Sequence, residues 1–280
     1  MKVDSEPRRA TATTRVVRFR AKALGTAIPD QVITEEPLEI RIDAPGIEPE
    51  PYATIMRTPG NDFELAVGFL ASEGVIDSRE AFSTVCYCTL GETEEQRYNI
   101  VTVSLRETPG HGRSRATAVS SACGVCGSRT IADVRQRITP VSSEALVGAE
   151  QVAAMPERLR RKQRLFKATG AVHAAGLATL SGEVVLCRED VGRHNAVDKL
   201  LGKALMDESW PLHSNVLILS GRIAFELVQK AALASIPVIA AVGAPSSLAI
   251  DLAEECGITL IGFVGPDHFN VYSHPERVLA

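Results

Sequence analysis

The chain has 280 residues, 45% of them hydrophobic, so it can bury a sizeable core and is too long for a disulfide-stapled miniprotein. Thirty basic against 34 acidic residues leave a formal net charge of -4, which argues against nucleic acid as a partner of the whole molecule. The longest apolar runs are strand-sized, and no apolar stretch follows the arginines near the amino terminus. We therefore expect a cytoplasmic protein with neither a membrane helix nor a secretory signal.

The sequence of the amino-terminal part predicts mainly β structure. Residues 1–14 are polar and without periodicity, which predicts a disordered tail, and residues 15–118 are predicted to form a smaller, mainly-β subdomain. Its strands are short and lie between residues 14 and 42, at 85–87 and at 98–105. One amphipathic helix interrupts them, beginning after Asn61 with a capping box to Glu64 and ending near Gly74.

The carboxyl-terminal part, residues 131–280, alternates helix and strand after a cysteine loop at 119–130. A turn at Gly182 joins two strands into a hairpin. The predicted helices lie within 141–166 and at 196–206, 224–234 and 247–256; the predicted strands lie at 171–180, 183–187, 215–219, 237–242 and 259–264. The last four strands follow a βαβαβαβ order, which predicts an α/β fold with a mixed, mostly parallel sheet and helices on both faces.

Cys123 and Cys126 form a C-x-x-C pair in a segment rich in serine and glycine. Such a segment favours an exposed loop, where neighbouring backbone N–H groups and Arg129 would stabilise a thiolate. Half of a zinc site is one alternative, although no second pair lies at a suitable spacing. A thioredoxin-like redox pair, an inert loop and a carrier of sulfur as a persulfide are the others. The other four cysteines need no function beyond packing.

Polar residues follow several predicted strands, at the edge where ligands of open α/β sheets collect. Three loops contribute arginines, glycine-flanked amides and helix-capping serines, which suit a phosphate-bearing ligand. The residues that we select there are Arg188, Arg193, Ser220, Gly221, Arg222 and Ser246. The simpler alternative is ordinary helix capping by Asn195 and by Ser246 or Ser247, with surface ion pairs.

Three further features have a structural explanation beside a functional one. His173 lies in an apolar run and is more typical of a buried, hydrogen-bonded residue than of a ligand. Residues 262–270 form a small-residue turn whose aromatic side chains are suited to stacking on a base or to closing the core. Residues 158–167 hold six basic and no acidic residues, which is typical of a solvated helix face, with docking of an acidic partner as the alternative.

Four motifs in this order resemble the FdhD family of formate dehydrogenase accessory sulfurtransferases. They are the segments 61–70, 123–127, 188–199 and 244–249. The resemblance implies a sulfur carrier that accepts persulfide sulfur from a cysteine desulfurase and passes it to the molybdenum cofactor, bis-molybdopterin guanine dinucleotide, of formate dehydrogenase. It also implies a cytidine-deaminase-like α/β domain, homodimerisation and binding of the guanine nucleotide part of the cofactor.

The resemblance also implies roles for individual residues. Cys123 would hold the persulfide and Cys126 would assist or resolve it. The turn that would contact the cofactor consists of Phe263, Val264, Gly265, Pro266, Asp267 and His268. Deaminase chemistry is not expected, because His173 lacks the glutamate of an H-x-E motif and alanine precedes Cys123. A zinc-stabilised or cofactor-holding chaperone is the alternative function, and we expect no resident metal.

Overall fold

A computed structural model describes residues 9–19, 25–88, 98–108 and 140–280 of the protein. The elements of its amino-terminal half are β1 Thr11–Arg18, β2 Thr26–Ile33, β3 Glu36–Ala44, β4 Ile47–Arg57, α1 Asp62–Ser72, β5 Phe82–Tyr87 and β6 Ile100–Leu105. Strands β1 and β2 form an antiparallel ribbon, and the other four form a sheet of order β4-β3-β6-β5. Helix α1 and the pairing of β5 with β6 confirm the elements predicted there.

Helix α1 packs its apolar side chains on the four-stranded sheet. Alternate residues of β3 face the helix, among them Leu38 and Ile40, because successive side chains of a strand point to opposite faces. Leu65 and Leu70 of α1 contact the same buried cluster. The alternating apolar residues of β3 and the apolar face of α1 therefore form this small core.

Three details of this half differ from the sequence-based expectations. Strand β1 begins at Thr11, so residues 11–14 are not part of a disordered tail. Strand β4 was not predicted, because Pro49 and Pro51 disfavour a strand. The side chain of Asn61 makes no cap hydrogen bond, so the predicted capping box is wrong.

The carboxyl-terminal half carries the larger sheet. Its elements are β7 Val147–Gly148, α2 Ala149–Lys162, α3 Arg164–Thr169, β8 His173–Thr179, β9 Val184–Asp190, α4 Arg193–Met206, β10 Asn215–Leu219, α5 Phe225–Leu233, β11 Val238–Ala241, α6 Ser247–Glu255, β12 Thr259–Gly262, β13 Asn270–Ser273 and β14 Val278–Leu279. These bounds confirm the predicted alternation of helices and strands. Two additional short strands, β7 and β14, pair with each other.

The six-stranded sheet has the order β13-β12-β11-β10-β8-β9. Its parallel pairs are β10 with β11 and β11 with β12, whereas β12–β13, β10–β8 and β8–β9 are antiparallel. The sheet is therefore mixed, as expected, but the prediction that it is mostly parallel is wrong. Strands β9 to β12 do run in one direction, yet β8 of the predicted hairpin lies between β9 and β10 and separates them.

Helices cover both faces of this sheet, as predicted. Helices α4, α5 and α6 pack on one face, where Leu217 and Leu219 of β10 join their buried cluster. Helix α2 packs on the other face, where Val216 and Ile218 of the same strand contact it through a separate cluster. The central strands are buried on both sides, which explains their continuous apolar sequences.

The two halves meet where α1 crosses α4 at close range. A Cβ atom on Gly68 of α1 would overlap the carbonyl oxygen of Asp198, and one on Gly202 of α4 would overlap the carbonyl oxygen of Glu64. Only glycine permits this approach of the two backbones. Ser72 of α1 adds a hydrogen bond of 2.7 Å to the Asp198 carboxylate, so the contact combines close packing with a buried polar link.

Candidate functional site

A cavity of about 1020 Å³ lies beside the edge where β10, β11 and β12 end. Four of the residues selected from the sequence line it, namely Ser220, Val264, Gly265 and Pro266. Its apolar surface comes from both strand ends and the facing helix α2, with Leu159, Val172 and Val242 among the contributors. A cavity of this size that combines apolar surface with convergent polar groups is typical of a small-molecule site.

Short loops pack against one another at this edge. The Ser220 hydroxyl accepts a hydrogen bond of 2.8 Å from the Ala174 N–H, so the residue is held by the neighbouring strand β8. A Cβ atom on Gly243 would lie 2.8 Å from the Gly221 backbone, which requires a glycine at position 243. The predicted loops are therefore positioned by tight backbone contacts.

His173 also lines the cavity, at the start of β8. Burial, and then the positive charge of Arg193, hold the pKa of this imidazole below its usual value. Arg222 and His194 contribute in the same direction. A neutral imidazole can donate and accept hydrogen bonds at neutral pH, which makes His173 a candidate ligand-contacting residue. Sequence reasoning favoured a core role because His173 lies in an apolar run. The antiparallel direction of β8, which the sequence did not reveal, brings its first residue to this edge.

Arg193 and His194 begin helix α4 beside His173. The Nε atom of Arg193 is buried without a hydrogen-bond partner among the described residues, whereas the Nε2 atom of His194 lies 3.7 Å from the Glu226 carboxylate. The His194 imidazole lowers the pKa of the nearby Glu226 carboxyl. Two arginines, counting the exposed Arg222, thus lie near a helix amino terminus, an arrangement suited to an anion.

Two of the selected residues, Arg188 and Ser246, lie away from the cavity lining. Arg188 lies on β9 and forms a two-point ion pair with Glu64 of α1, in which Nη2 is 2.8 Å from Oε1. Ser246 caps α6 by accepting from the Ala249 N–H at 3.3 Å, as the simpler alternative held. Asn195 lies inside α4 and does not cap it.

The first residue and the last two residues of the predicted cofactor turn are exposed. Phe263 is 46% exposed and has a φ of 52°, a strained conformation for a bulky residue. Asp267 and His268 are exposed and contact each other at 2.8 Å, which lowers the pKa of the Asp267 carboxyl. These three side chains lie outside the cavity, although Val264 to Pro266 between them line it.

The wall of the cavity that faces the strand ends was not predicted from the sequence. It is formed by α2 and α3 and includes the basic segment that sequence analysis assigned to a solvated helix face. Its charged, amide and aromatic lining residues are Glu150, Glu157, Arg158, Arg160, Arg161, Gln163 and Phe166, and Arg161 is paired with Glu157 at 3.1 Å. The run of basic residues was a visible signal, but the inward position of Gln163 at the break between the helices was not.

Cys123 and Cys126 lie outside the described residues, so the structure does not test their roles. Among the cysteines that it describes, Cys86 is exposed, Cys256 is buried, and burial raises the pKa of Cys187 to about 11. A thiol with such a pKa is a poor nucleophile. Within the described ranges, no three His, Cys, Asp or Glu side chains form a metal-holding group. No helix in those ranges combines the length and apolar character needed to cross a bilayer.

Comparisons with known proteins cover nearly the whole chain. The model of the FdhD/NarQ family matches residues 33–279. Proteins named sulfur carrier protein FdhD are 45% identical in Mycolicibacterium paratuberculosis, over 96% of this chain and 98% of that protein, and 46% identical in Streptomyces coelicolor, over 96% of both. A relative with the same name, from Sulfurisphaera tokodaii, is 41% identical over 95% of this chain and 98% of that protein.

A solved structure has the same fold. It was determined as a candidate formate dehydrogenase accessory protein from Desulfotalea psychrophila, and it matches with a TM-score of 0.74 over 96% of this chain and all of that chain, at 24% identity. Because the family model and these relatives extend over both halves of the molecule, the chain belongs to the FdhD/NarQ family.

Proposed function

We propose that the protein is a sulfur carrier that accepts persulfide sulfur on Cys123 and delivers it to the molybdenum cofactor of formate dehydrogenase. The observation that carries the proposal is the identity of 41–46% with full-length relatives that are named sulfur carrier proteins. The donor is a cysteine desulfurase, and the acceptor is bis-molybdopterin guanine dinucleotide. The cytidine-deaminase-like fold, the cytoplasmic location and homodimerisation stay predictions.

Loading of the carrier is a thiol–persulfide exchange. The Cys123 thiolate attacks the outer sulfur of the donor persulfide, a new S–S bond forms, and the old one breaks so that the donor leaves as a thiolate. The attacking form is the thiolate, and the glycine residues and Arg129 near Cys123 in the sequence are of the types that favour it. No oxidant is consumed in this step.

Delivery of the sulfur uses the second cysteine. The Cys126 thiolate attacks the Cys123 sulfur, which forms an internal disulfide and releases hydrosulfide. The hydrosulfide replaces an oxygen ligand of the bound metal, and that oxygen leaves as water with the hydrosulfide proton and one proton from solvent. A dithiol reductant then returns both cysteines to thiols for the next cycle.

The cavity beside the strand ends is our candidate for the nucleotide part of the cofactor. Its apolar surface suits a planar base, and the Ser220 and Gly265 loops bring backbone groups to its edge. Arg193, Arg222 and the amino terminus of α4 lie next to it and supply positive charge for phosphate. The neutral His173 on the same edge adds a further hydrogen-bonding group.

Intact mass spectrometry tests the sulfur-carrying step. The reduced protein is incubated with a cysteine desulfurase and cysteine, and we expect a gain of about 32 Da that a reductant removes, as for a persulfide. Cys123→Ala should show no gain, whereas the matched control Cys187→Ala should gain the sulfur as the wild type does. Labile sulfur on the Cys123→Ala variant would contradict the assignment.

A further inference from the structure

Cys86 and Cys88 place two thiols on the same face of a strand. Cys86 lies on β5 opposite Thr102 of β6, and the N–H of Cys88, which directly follows β5, donates to the Ile100 carbonyl at 2.9 Å. The strand pairing therefore extends through both cysteines, and residues two positions apart in a strand point to one face. Cys86 is exposed, Cys88 is half-buried, and β5 is the last strand in the order β4-β3-β6-β5. The two thiols are thus presented together at a strand edge.

The residue between the two cysteines fixes this arrangement. Tyr87 points to the other face, where its hydroxyl donates to the Asp62 carboxylate at 3.1 Å and its ring centre lies 4.6 Å from that of Phe63. Asp62 accepts two hydrogen bonds from the buried Arg57 guanidinium, at 3.0 and 2.8 Å. Burial, and then the Asp62 charge, raise the pKa of Tyr87, so its hydroxyl stays protonated and continues to donate. The strand cannot rotate or shorten here without breaking these contacts, so the cysteines keep their extended spacing.

This spacing disfavours a disulfide between the two thiols. Residues two positions apart in a strand have Cα atoms roughly 6.6 Å apart, and their Cβ atoms, which point the same way, have a similar separation. A disulfide requires its Cβ atoms to lie about 3.5–4.5 Å apart. A metal ion between two thiolates spans more, because each bond to sulfur is about 2.3 Å long and the sulfurs then lie about 4.6 Å apart. Two cysteine side chains that lean toward each other from this strand reach that distance.

The number of ligands selects the kind of ion. Zinc and iron–sulfur clusters are usually held by four protein ligands, whereas no three His, Cys, Asp or Glu side chains come together in the part of the chain that the structure describes. Two thiolates are a complete ligand set for Cu(I), a soft closed-shell cation that accepts linear coordination. The resulting complex carries one net negative charge, which is tolerated because the strand edge leaves it in contact with water.

We propose that Cys86 and Cys88 form a binding site for one Cu(I) ion. Binding breaks the two S–H bonds and forms two Cu–S bonds, and both protons pass to solvent, so no group is oxidised or reduced. The site uses neither cysteine of the C-x-x-C pair. The inference therefore goes beyond the proposed sulfur-carrying function and does not depend on it.

Anaerobic competition with the Cu(I) chelator bicinchoninate tests the proposal. The full chain carries Cys123→Ser and Cys126→Ser, so that the C-x-x-C pair cannot take up the ion, and we expect it to withdraw one equivalent of Cu(I) from the chelator. Adding Cys86→Ser should lower the affinity by about 100-fold or more, because a single thiolate remains. The matched control Cys187→Ala should change nothing. Withdrawal of no copper, or an unaltered affinity after Cys86→Ser, would overturn the inference.

The coordination number is a second readout on the same protein. X-ray absorption at the copper edge should show two sulfur ligands in a linear arrangement. Three or more sulfur ligands would contradict the site, because another thiolate would then have to complete it.

Alkylation gives a test that needs no substitution at the site. In the copper-free protein, iodoacetamide should label Cys86, and in the protein loaded with Cu(I) this thiol should be protected until excess chelator removes the ion. Peptide mass spectrometry measures the labelled fraction. Equal labelling of Cys86 with and without Cu(I) would contradict the proposal. Persulfide loading on Cys123 is measured separately, so a failure of either idea leaves the other standing.

Discussion

Asp190 is a fully buried carboxylate with several hydrogen-bond donors around it, and its replacement by asparagine should be strongly destabilising. It is 0% exposed and accepts from the backbone N–H groups of Thr58 and Gly192 at 3.1 and 2.8 Å and from the Asn195 amide at 2.8 Å. It also pairs with Lys199 at 2.7 Å, which is 1% exposed. Asp190→Asn leaves a buried lysine without its counter-charge, which costs about 3–5 kcal/mol.

Equilibrium urea unfolding followed by circular dichroism measures this loss as a shift of the midpoint at constant slope. The matched control is Asp207→Asn, which breaks the exposed pair between Lys203 and Asp207 on the same helix, 2.6 Å long with side chains 34% and 49% exposed. An exposed pair at this spacing contributes only about 0.3–0.5 kcal/mol. The two variants make the same chemical change and differ chiefly in the burial of the carboxylate.

A loss in Asp190→Asn no larger than that in Asp207→Asn would refute the reasoning, because burial of the pair would then carry no energetic consequence. The double variant Asp190→Asn with Lys199→Met separates the two contributions. Removing the unpaired charge should restore part of the stability, since an apolar side chain is tolerated where a lone ammonium is not. A double variant less stable than Asp190→Asn alone would show that Lys199 stabilises the fold by another route.

Three further predictions concern packing, pH and thiol reactivity. Gly202→Ala should lower the free energy of unfolding by about 1–3 kcal/mol in the same urea assay, although alanine favours helices, because the new methyl group meets the Glu64 backbone. Burial lowers the pKa of His173 from 6.5, so the unfolded chain binds this proton more readily and stability should fall as pH drops below that value; His173→Gln should flatten this part of the stability curve. Iodoacetamide at about pH 8 should alkylate the exposed Cys86 but spare Cys187 in peptide mass spectra, because the pKa of Cys187 is raised to about 11.

Sequence periodicity was sufficient to find the elements of the larger sheet but not their order. The turn at Gly182 and the apolar runs after it confirmed the hairpin and the alternating helices. Either strand of the hairpin could pair with β10, and in the structure β8 does so while β9 forms the edge. Both arrangements bury the same side chains, so the local pattern does not distinguish them.

The site residues selected from the sequence were likewise placed correctly only in part. Glycines and serines at strand ends marked Ser220 and the turn at Gly265 correctly as neighbours of the cavity, because strand ends meet at one edge. Arg188 was misplaced, since β9 continues to Asp190 and the arginine meets Glu64, which is 124 residues away in the chain. A tertiary ion pair of this kind leaves no local signal.

Three consecutive residues of the edge strand β9 organise the surroundings of the cavity. Side chains of a strand alternate between faces, so Arg188 and Asp190 point to the side of α1 and α4 and Glu189 points to α3. Asp190 fixes the turn before Arg193, while Glu189 fixes the helix start beside Gln163. The turn before α4 and the start of α3, on two sides of the cavity, are therefore positioned by adjacent residues.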